Sequence, residues 1–365
     1  MNTKKILFTG ARAPAVLQAA RTLHSCKNTV YAADSTYANL CLFCNKISKF
    51  FKLPPVKEEN YKETLIDIIK KEKIDLLIPS CEEIFYISAF IDELKQYCEV
   101  FCDEQPKLLK LHDKWSFYQY LINKNLKTPQ TYLAAEMPEV LDKKQIIKPR
   151  FSRFAAKVKL TSKIDTKKHN ITYIVQDFIS GRQYCSYALV KNGKVLSCIT
   201  YTTILNAGLG AGILLEQTKD KNINDITAFI AKDLNFSGQL AFDFIKTEDG
   251  TVFVIECNPR MTSGLAFMPN NFLTIIGNKE NRNKSKVDLS SLLLAILIYL
   301  PLQPLKTIKN LREIIGAKDA VFDKKDLLPF FMQVPISIYW LIKGIFYGGP
   351  TTASTIDIEF NGENI

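Results

Sequence analysis

The stretch VFVIECNPRM, residues 252–261, carries the decisive pattern of this sequence. Its apolar first part, from Val252 to Ile255, has the composition of a buried β-strand. Glu256, Asn258 and Arg260 follow at alternate positions, and alternate side chains of an extended chain point to the same face. Burying a charge without a partner is costly. The pattern therefore predicts that these three polar side chains hold a charged ligand.

The segment just before it supplies a second carboxylate. LAFDFI, residues 240–245, also has the composition of a buried strand and contains Asp243, and the turn Glu248-Asp249-Gly250 joins the two strands into a hairpin. Asp243 and Glu256 should then lie close together and repel each other unless a cation neutralises them. Carboxylate and amide oxygens are ligands that Mg²⁺ accepts. The alternative is an ion pair from Arg260 to one of the carboxylates inside the sheet.

Length and composition indicate a folded protein with more than one domain. The chain has 365 residues, of which 47% are hydrophobic and 23% charged. Nine cysteines show no disulfide-like spacing, and the N-terminus continues directly into a strand without a signal-length apolar segment. We therefore expect reduced thiols and a cytoplasmic location.

The net charge of +11 indicates an anionic partner without identifying it. The lysines are spread along the chain, with no arginine-rich run and no aromatic-interleaved RNA motif, so we expect no nucleic acid. A small anionic molecule such as a nucleotide and an acidic membrane surface fit the charge equally well.

The first part of the chain, residues 1–105, alternates predicted strands and helices. This alternation predicts a small parallel sheet covered on both faces, as in a Rossmann-like domain. The turn TGARAPAV, residues 9–16, lacks the full glycine fingerprint, so we expect no dinucleotide site. Glu82 and Glu83 follow a predicted strand end, where Glu83 could meet a substrate amine, but we favour the interpretation that both cap the next helix.

From about residue 107 the predicted pattern becomes α+β. We expect a helix over residues 108–128, a strand ending at Lys148, and antiparallel strands of which two are joined by an Asn192-Gly193 turn. A helix is predicted over 222–236, followed by the hairpin that contains Asp243 and Glu256. The overall prediction is an α/β domain followed by an α+β region.

This order of elements, ending in Glu-x-Asn-Pro-Arg, resembles the ATP-grasp superfamily. The resemblance implies a Rossmann-like pre-ATP-grasp domain (1–105), a two-subdomain ATP-grasp domain (106–315) and a C-terminal tail packing on the core (316–365). It further implies that ATP binds between the subdomains with Mg²⁺, or with Mn²⁺ in its place. The matching metal ligands are Asp243, Glu256 and Asn258, and Arg260 matches the residue at the phosphates.

Other positions match the family's nucleotide site in the expected order. Lys114 matches an early nucleotide lysine, and Lys148 matches the strand lysine that reaches the phosphates. QDFISGRQ, residues 176–183, matches the hinge whose backbone holds adenine. This hinge places Gln176, Asp177, Phe178, Ile179 and Gln183 at the nucleotide, with Gln183 standing where the family usually has a ribose-binding glutamate. An amide can still bond to hydroxyl groups.

The family's phosphate-covering loop corresponds here to KPRFSRFAAKVKL, residues 148–160, which contains no glycine. Since a glycine-rich loop normally brings backbone N–H groups to phosphate, basic side chains such as Arg153 would have to act instead. We assign Arg153 to catalysis together with Lys148 and Arg260. The alternative is that residues 150–160 form an ordinary basic strand and turn.

Two further segments leave alternatives open. LNAGLGAGILLE, residues 205–216, has three closely spaced glycines and could border the acceptor site or form a mobile surface loop. LLPFFMQVPISIYWLIKGIFYGG, residues 327–349, is strongly apolar but interrupted by prolines, a glutamine and a lysine. We expect it to pack on the protein's own core, with a homodimer interface or an interfacial membrane helix as alternatives.

The resemblance implies a ligase that activates a carboxylate as an acyl phosphate and joins it to an amine, or less often to a thiol, releasing ADP and phosphate. The partners would be small carboxylates and amines, whose identity the sequence does not give. Three alternatives are a bicarbonate-dependent enzyme that forms carboxyphosphate or carbamoyl phosphate, an inactive ATP-binding regulatory protein, and a membrane-associated scaffold.

Overall fold

A computed structural model describes residues 3–152, 157–165, 170–208, 210–268 and 287–363. Within this part of the chain, the strands form three separate sheets. The first is parallel, and the other two are built mainly from antiparallel pairs. The expected combination of an α/β domain and an α+β region is therefore confirmed.

The first sheet has five parallel strands in the order β3-β2-β1-β4-β5. Alternate residues of these short strands pack against helices on opposite faces: Leu7 and Leu77 lie in one apolar cluster, Ile6 and Ile78 in the other. This arrangement confirms the sheet covered on both faces. The strands are β1 (Lys5–Phe8), β2 (Thr29–Asp34), β3 (Lys49–Lys52), β4 (Leu76–Ile78) and β5 (Glu99–Val100), with helices α1 (Pro14–Ser25), α2 (Tyr61–Glu72), α3 (Glu83–Ile87) and α4 (Ile91–Leu94).

Asp34, at the end of β2, is occupied within the protein. Its carboxylate accepts hydrogen bonds from the guanidinium group of Arg12, including one of 2.5 Å from Nη2, and from the backbone N–H of Arg12 at 2.8 Å. The carboxylate that would bind a ribose in a dinucleotide domain is therefore paired with an arginine. This supports the expectation that the domain is not a dinucleotide site.

The helix expected over residues 108–128 is wrong, because the chain forms two helices there. They are α5 (Gln105–His112) and α6 (Lys114–Asn123). Asp113 between them is extended, and its side chain accepts bonds from the N–H groups of Trp115 and Ser116. A capping aspartate thus begins a new helix and places Lys114 at its first position.

A four-stranded sheet follows in the order β6-β9-β7-β8. Its small apolar cluster includes Ile147 and Val175. The strands are β6 (Thr131–Leu133), β7 (Val140–Pro149), β8 (Lys159–Lys163) and β9 (Tyr173–Gln176).

The third sheet has seven strands in the order β14-β13-β10-β11-β12-β15-β16. Asn192 and Gly193 join β10 to β11 with φ values of 48° and 71°, confirming the predicted turn. Residues 205–207 and 211–216 lie in two paired strands, Gly208 and Gly210 lie in the turn between them, and Leu209 lies outside the described residues. The elements are β10 (Arg182–Lys191), β11 (Lys194–Ala207), β12 (Ala211–Thr218), β13 (Gly238–Lys246), β14 (Val252–Asn258), β15 (Leu289–Ser291), β16 (Lys318–Asp319) and α7 (Lys221–Asp233).

The C-terminal helices are α8 (Leu293–Tyr299), α9 (Pro304–Lys309), α10 (Leu311–Gly316), α11 (Leu328–Tyr347) and α12 (Pro350–Ala353). We expected the apolar tail to pack on the core, but only one side of α11 does so. The indole N–H of Trp340 donates to the carbonyl of Ala38 at 3.2 Å, whereas Phe346 is 79% exposed.

The last described residues return to the first domain. Arg12 donates to the carboxylate of Asp357 at 2.6 Å and 2.8 Å. The ring of Phe360 packs between Phe85 and Phe151, with centroid distances of 5.3 Å and 5.4 Å. This C-terminal segment, residues 354–360, therefore ties the parallel sheet to the stem of the glycine-free loop.

Candidate functional site

A β-bulge builds the acidic centre of the site. Asp243 on β13 pairs directly with Glu256 on β14, but the next pair is Phe244 with Val254, so Ile255 has no partner in the ladder. The extra residue reverses the alternation of side chains along β14. Val254 and Cys257 consequently face the apolar cluster, while Glu256 is directed to the opposite face, beside Asp243.

The two carboxylates strongly influence each other's ionisation. Burial and the negative charge of Glu256 raise the pKa of Asp243 to about 7. Burial also opposes ionisation of Glu256, but the ammonium groups of Lys114 and Lys148 outweigh it and lower the pKa of Glu256. The thiol of Cys185, which lies on the neighbouring strand β10, donates to Asp243 Oδ1 at 3.0 Å. The repulsion between the two neighbouring carboxylates would therefore be relieved by a cation placed between their oxygens.

Lys114 and Lys148 converge on the same carboxylate oxygen from different elements. Each Nζ lies 3.9 Å from Glu256 Oε2, and both side chains are almost fully buried. Burial lowers the pKa of Lys148 to about 8. Two buried ammonium groups next to one carboxylate leave positive charge available for further anionic groups, as the phosphates of a nucleotide would provide.

Lys114 also holds the stem of the glycine-free loop. Its Nζ donates to the carbonyl groups of Arg150 and Ser152 at 3.3 Å and 3.2 Å. The preceding residue, Asp113, accepts two bonds from the guanidinium of Arg150, at 2.9 Å and 2.5 Å. The start of α6 and the end of β7 are thereby fixed together. Arg153, assigned to catalysis from the sequence, lies outside the described residues.

Asn258 is the last residue of β14, and Arg260 continues the site just beyond the strand. Arg260 Nη2 donates to Asn258 Oδ1 at 3.3 Å and lies 3.8 Å from Glu82 Oε1. Arg260 Nε is buried and has no hydrogen-bond partner among the described residues. The alternative of an ion pair from Arg260 to Asp243 or Glu256 is not what the structure contains. A buried, unsatisfied guanidinium N–H is suited to an anionic oxygen.

Sequence reasoning missed Glu82, which we had interpreted as a helix cap. It occupies the N-cap position of α3, yet its side chain makes no capping hydrogen bond. Instead, Oε2 accepts the backbone N–H of Phe360 at 3.1 Å, and Oε1 faces Arg260. Only its position at the end of a parallel strand signalled such a role.

The predicted hinge connects the four-stranded sheet to the seven-stranded sheet. The Gln176 side chain is buried and donates to Thr131 Oγ1 at 3.0 Å. The Asp177 N–H donates to the Gln130 carbonyl at 2.9 Å. Phe178 is 56% exposed. Any adenine contact would therefore come from the remainder of this stretch rather than from the Asp177 N–H.

Two further side-chain positions, Ile179 and Gln183, complete the predicted nucleotide site. Ile179 is half-buried in the connection between the sheets. Gln183 is exposed on β10 and lies two residues before Cys185, on the same face of the strand. Its backbone carbonyl accepts a hydrogen bond from Thr202 Oγ1 at 2.8 Å. The position is compatible with a ribose contact.

The donor set fits a divalent cation that is shared with phosphates. Among the described residues there is no cluster of three or more His, Cys, Asp or Glu side chains suited to a metal. A pair of carboxylates with an asparagine oxygen nearby is nevertheless what Mg²⁺ requires when substrate phosphates and waters supply its other ligands. Burial and the neighbouring charge of Glu256 raise the pKa of Asp243, and a cation bound between the two carboxylates would offset both effects.

Two family models match consecutive parts of this chain. Residues 6–100 match the PylC-like N-terminal domain, and residues 111–264 match the ATP-grasp domain. The second match contains every residue from Lys114 to Arg260 that we assigned to the site. No protein of curated function matches the chain.

Solved structures share the fold at low sequence identity. An L-amino acid ligase from Bacillus licheniformis is 13% identical with a TM-score of 0.57, over 72% of this chain and 68% of that one. A biotin carboxylase from Campylobacter jejuni is 11% identical with a TM-score of 0.59, over 78% and 74%. A carboxyaminoimidazole ribonucleotide synthase from Aspergillus clavatus, complexed with ATP, is 12% identical with a TM-score of 0.55, over 72% and 71%.

Proposed function

The chain belongs to the ATP-grasp superfamily, and we propose that it is an ATP-dependent ligase that joins a carboxylate to an amine. One observation carries this proposal. The opposed carboxylates of Asp243 and Glu256 share a sheet face with two buried lysines, and Arg260 stands at the end of the same strand. The likeness to an L-amino acid ligase supports carboxylate–amine chemistry as the reaction class.

The site residues fall into groups that bind different parts of the metal–nucleotide complex. Asp243, Glu256 and Asn258 would hold Mg²⁺, or Mn²⁺ in its place, which when bound neutralises charge on the phosphates. Lys114 and Lys148 bind the phosphate oxygens, and Gln183 bonds to the ribose hydroxyls. Adenine lies against the connection between the two sheets, the stretch formed by residues 176–179.

The reaction proceeds without a covalent intermediate on the protein. A substrate carboxylate oxygen attacks the γ-phosphorus of ATP, the bond to the β-phosphate oxygen breaks, and ADP leaves. The amine then attacks the carbonyl carbon of the acyl phosphate, phosphate leaves with its electron pair, and the nitrogen loses a proton. Arg260 and Arg153 stabilise charge on the transferred phosphoryl group, and catalysis rests on alignment and electrostatics.

Both substrates are small molecules. One supplies the carboxylate, and the other supplies the amine, or less often the thiol, that accepts the acyl group. We place the enzyme in the cytoplasm, where ATP and Mg²⁺ are available and where its nine cysteine thiols stay reduced. Bicarbonate is the smallest carboxylate-like substrate that the same chemistry would accept.

A screen of carboxylate and amine pairs tests the proposal. ADP release and product mass are measured together, with Glu256→Gln as the inactive reference. We expect one class of pairs to release ADP and give a condensed product. ADP release with bicarbonate alone would establish carboxyphosphate chemistry, and ATP binding without ADP release for any pair would contradict the ligase.

A further inference from the structure

Helix α11 presents its apolar side to solvent. The residues that face the protein are spaced as one stripe of a helix and include Pro329, Gln333 and Gly344, all buried. Trp340 lies on the same stripe and is bound to the carbonyl of Ala38. A glutamine, a glycine and a proline are weak choices for a core-facing stripe. Phe330 and Ile336 also pack against the core from this helix. The helix is therefore apolar toward solvent as well as toward the protein, whereas a surface helix of a soluble protein is polar on its outer side.

The outward side of α11 consists of large apolar residues. Phe331, Ile338, Ile345 and Phe346 are 64%, 51%, 78% and 79% exposed, and Leu341 is 53% exposed. These residues recur along the whole helix. A continuous apolar face of this kind marks an interaction site, in contrast to isolated exposed apolar residues.

The helices that precede α11 also expose large apolar side chains to solvent. Leu302, Leu305 and Ile315 of the segment that contains α8 to α10 are 78%, 83% and 77% exposed. Of the thirty-one large apolar side chains exposed in the part of the chain that the structure describes, twenty lie between Leu297 and Tyr347. We name the exposed residues of 293–347 the C-terminal apolar surface.

The charges on the C-terminal apolar surface have one sign. Within residues 293–347, all of which are described, every exposed charged side chain is basic: Lys306, Lys309, Arg312, Lys318, Lys324 and Lys325. The acidic residues of this segment are less exposed than the basic ones. Asp326 is buried against Arg21 at 2.9 Å, and Glu313, Asp319 and Asp323 are half-buried.

Aromatic and basic side chains also meet near the end of α11. The Lys343 ammonium lies 5.9 Å, 5.2 Å and 5.6 Å from the ring centroids of Tyr339, Trp340 and Tyr347. Tyrosine, tryptophan and lysine have an apolar body and a polar tip, which suits the boundary between lipid headgroups and acyl chains.

We propose that the C-terminal apolar surface binds the face of an anionic phospholipid bilayer, with α11 lying in the interface. Apolar residues would enter the acyl boundary while the exposed lysines meet the headgroups. By length and composition α11 could cross a membrane. The Trp340 bond to Ala38, and the packing of Gly344 against Pro350, favour a helix lying along the protein.

A second copy of the chain explains the charges less well. A two-fold interface would bring the same surface of each copy together, and exposed charges of one sign would then face one another. An anionic bilayer complements them. Binding to a bilayer and binding to a second copy therefore predict different effects of salt and lipid charge, and different oligomeric states.

Vesicle flotation with the full chain tests the proposal. The vesicles are phosphatidylcholine alone or an equimolar mixture with phosphatidylglycerol, at low salt and at about 1 M salt, where the Debye length is about 3 Å. We expect binding to the anionic vesicles that high salt weakens. Lys324→Glu/Lys325→Glu should lower the bound-to-free ratio by roughly tenfold or more, since each surface lysine contributes about 1 kcal/mol. The matched control Lys71→Glu/Lys232→Glu, at exposed lysines elsewhere, should not.

The apolar contribution is tested with Leu341→Gln/Ile345→Gln/Phe346→Gln, which changes only exposed positions. This variant should lose vesicle binding, while Val140→Gln/Ile171→Gln/Phe229→Gln, also exposed, should retain it. In Phe346→Trp, brominated acyl chains should quench the new indole. No flotation with either vesicle overturns the proposal. So does a dimer, seen by sedimentation velocity, that the Leu341 triple variant dissociates without any lipid binding.

Discussion

Asp243 and Glu256 stand directly opposite each other on paired strands, and they share one face of the sheet because Ile255 is bulged out of the ladder. Without the bulge, Glu256 would continue the alternation of Val252 and Val254 into the apolar core. The carboxylate pair is thus a product of backbone register as much as of residue type. The lysines at 3.9 Å then set its charge.

Replacing one carboxylate with a neutral amide should stop the reaction. In Glu256→Gln, Lys114 and Lys148 lose their shared anionic partner and the cation loses a ligand, so we expect ATP turnover to fall by roughly two orders of magnitude or more. Glu248→Gln, in the exposed turn of the same hairpin, is the matched control. Turnover equal to wild type in a folded Glu256→Gln protein would show that the metal assignment is wrong.

The two buried lysines should be needed for nucleotide binding. Lys148→Ala and Lys114→Ala each remove an ammonium group from the proposed phosphate site, and calorimetry should show weaker binding of Mg-ATP with a folded protein. The control is Lys144→Ala, which changes an exposed lysine on β7, the strand that carries Lys148. Because Lys114 also bonds to Arg150 and Ser152, its variant should in addition make the loop stem more sensitive to protease. Wild-type affinity in both variants would contradict the site.

The pH dependence of stability follows from the raised pKa of Asp243, about 7. In the unfolded protein the pKa of this carboxyl group is about 4, the usual value. Between about pH 4 and 7, the folded metal-free protein therefore keeps a proton on Asp243 that the unfolded protein has released. Stability of the metal-free protein should therefore fall as pH rises from about 4 to 7. Mg²⁺ should remove this loss, because it stabilises the ionised pair.

Thermal melts at pH 5.5 and 7.5, with and without Mg²⁺, measure this effect. The variant Asp243→Asn should remove the metal-sensitive part of the pH dependence. If wild-type melts respond to Mg²⁺ equally at both pH values, Asp243 is not the titrating ligand.

Phe360 should contribute strongly to stability although it lies beyond both family matches. Its ring is 2% exposed and packs on Phe85 and Phe151. We expect Phe360→Ala to lower the free energy of unfolding by about 3 to 5 kcal/mol. Phe346→Ala, at a 79% exposed position, should change it by less than about 0.5 kcal/mol. Denaturant titration of the two variants compares them directly.

The sequence allowed the elements and the acidic hairpin to be predicted, because alternation and turn residues are local signals. The bulge at Ile255 left no such signal, since a single unpaired residue is set by the partner strand. The single helix expected over residues 108–128 was wrong for another reason. Apolar periodicity continued across Asp113, and its role as the side-chain cap that separates two helices was not recognised. The Glu82 contacts were beyond reach, because they depend on residues far along the chain.

The contacts of residues 354–360 also bear on how the protein is made. Arg12 and Asp357 are separated by 345 positions, yet they form one partly buried ion pair. Domains generally begin to fold in order as a chain leaves the ribosome. The parallel sheet can form early, but Arg12 and Glu82 must wait until synthesis has passed residue 360. The parallel sheet would therefore be synthesised before the other two sheets but would receive these contacts only after both of them.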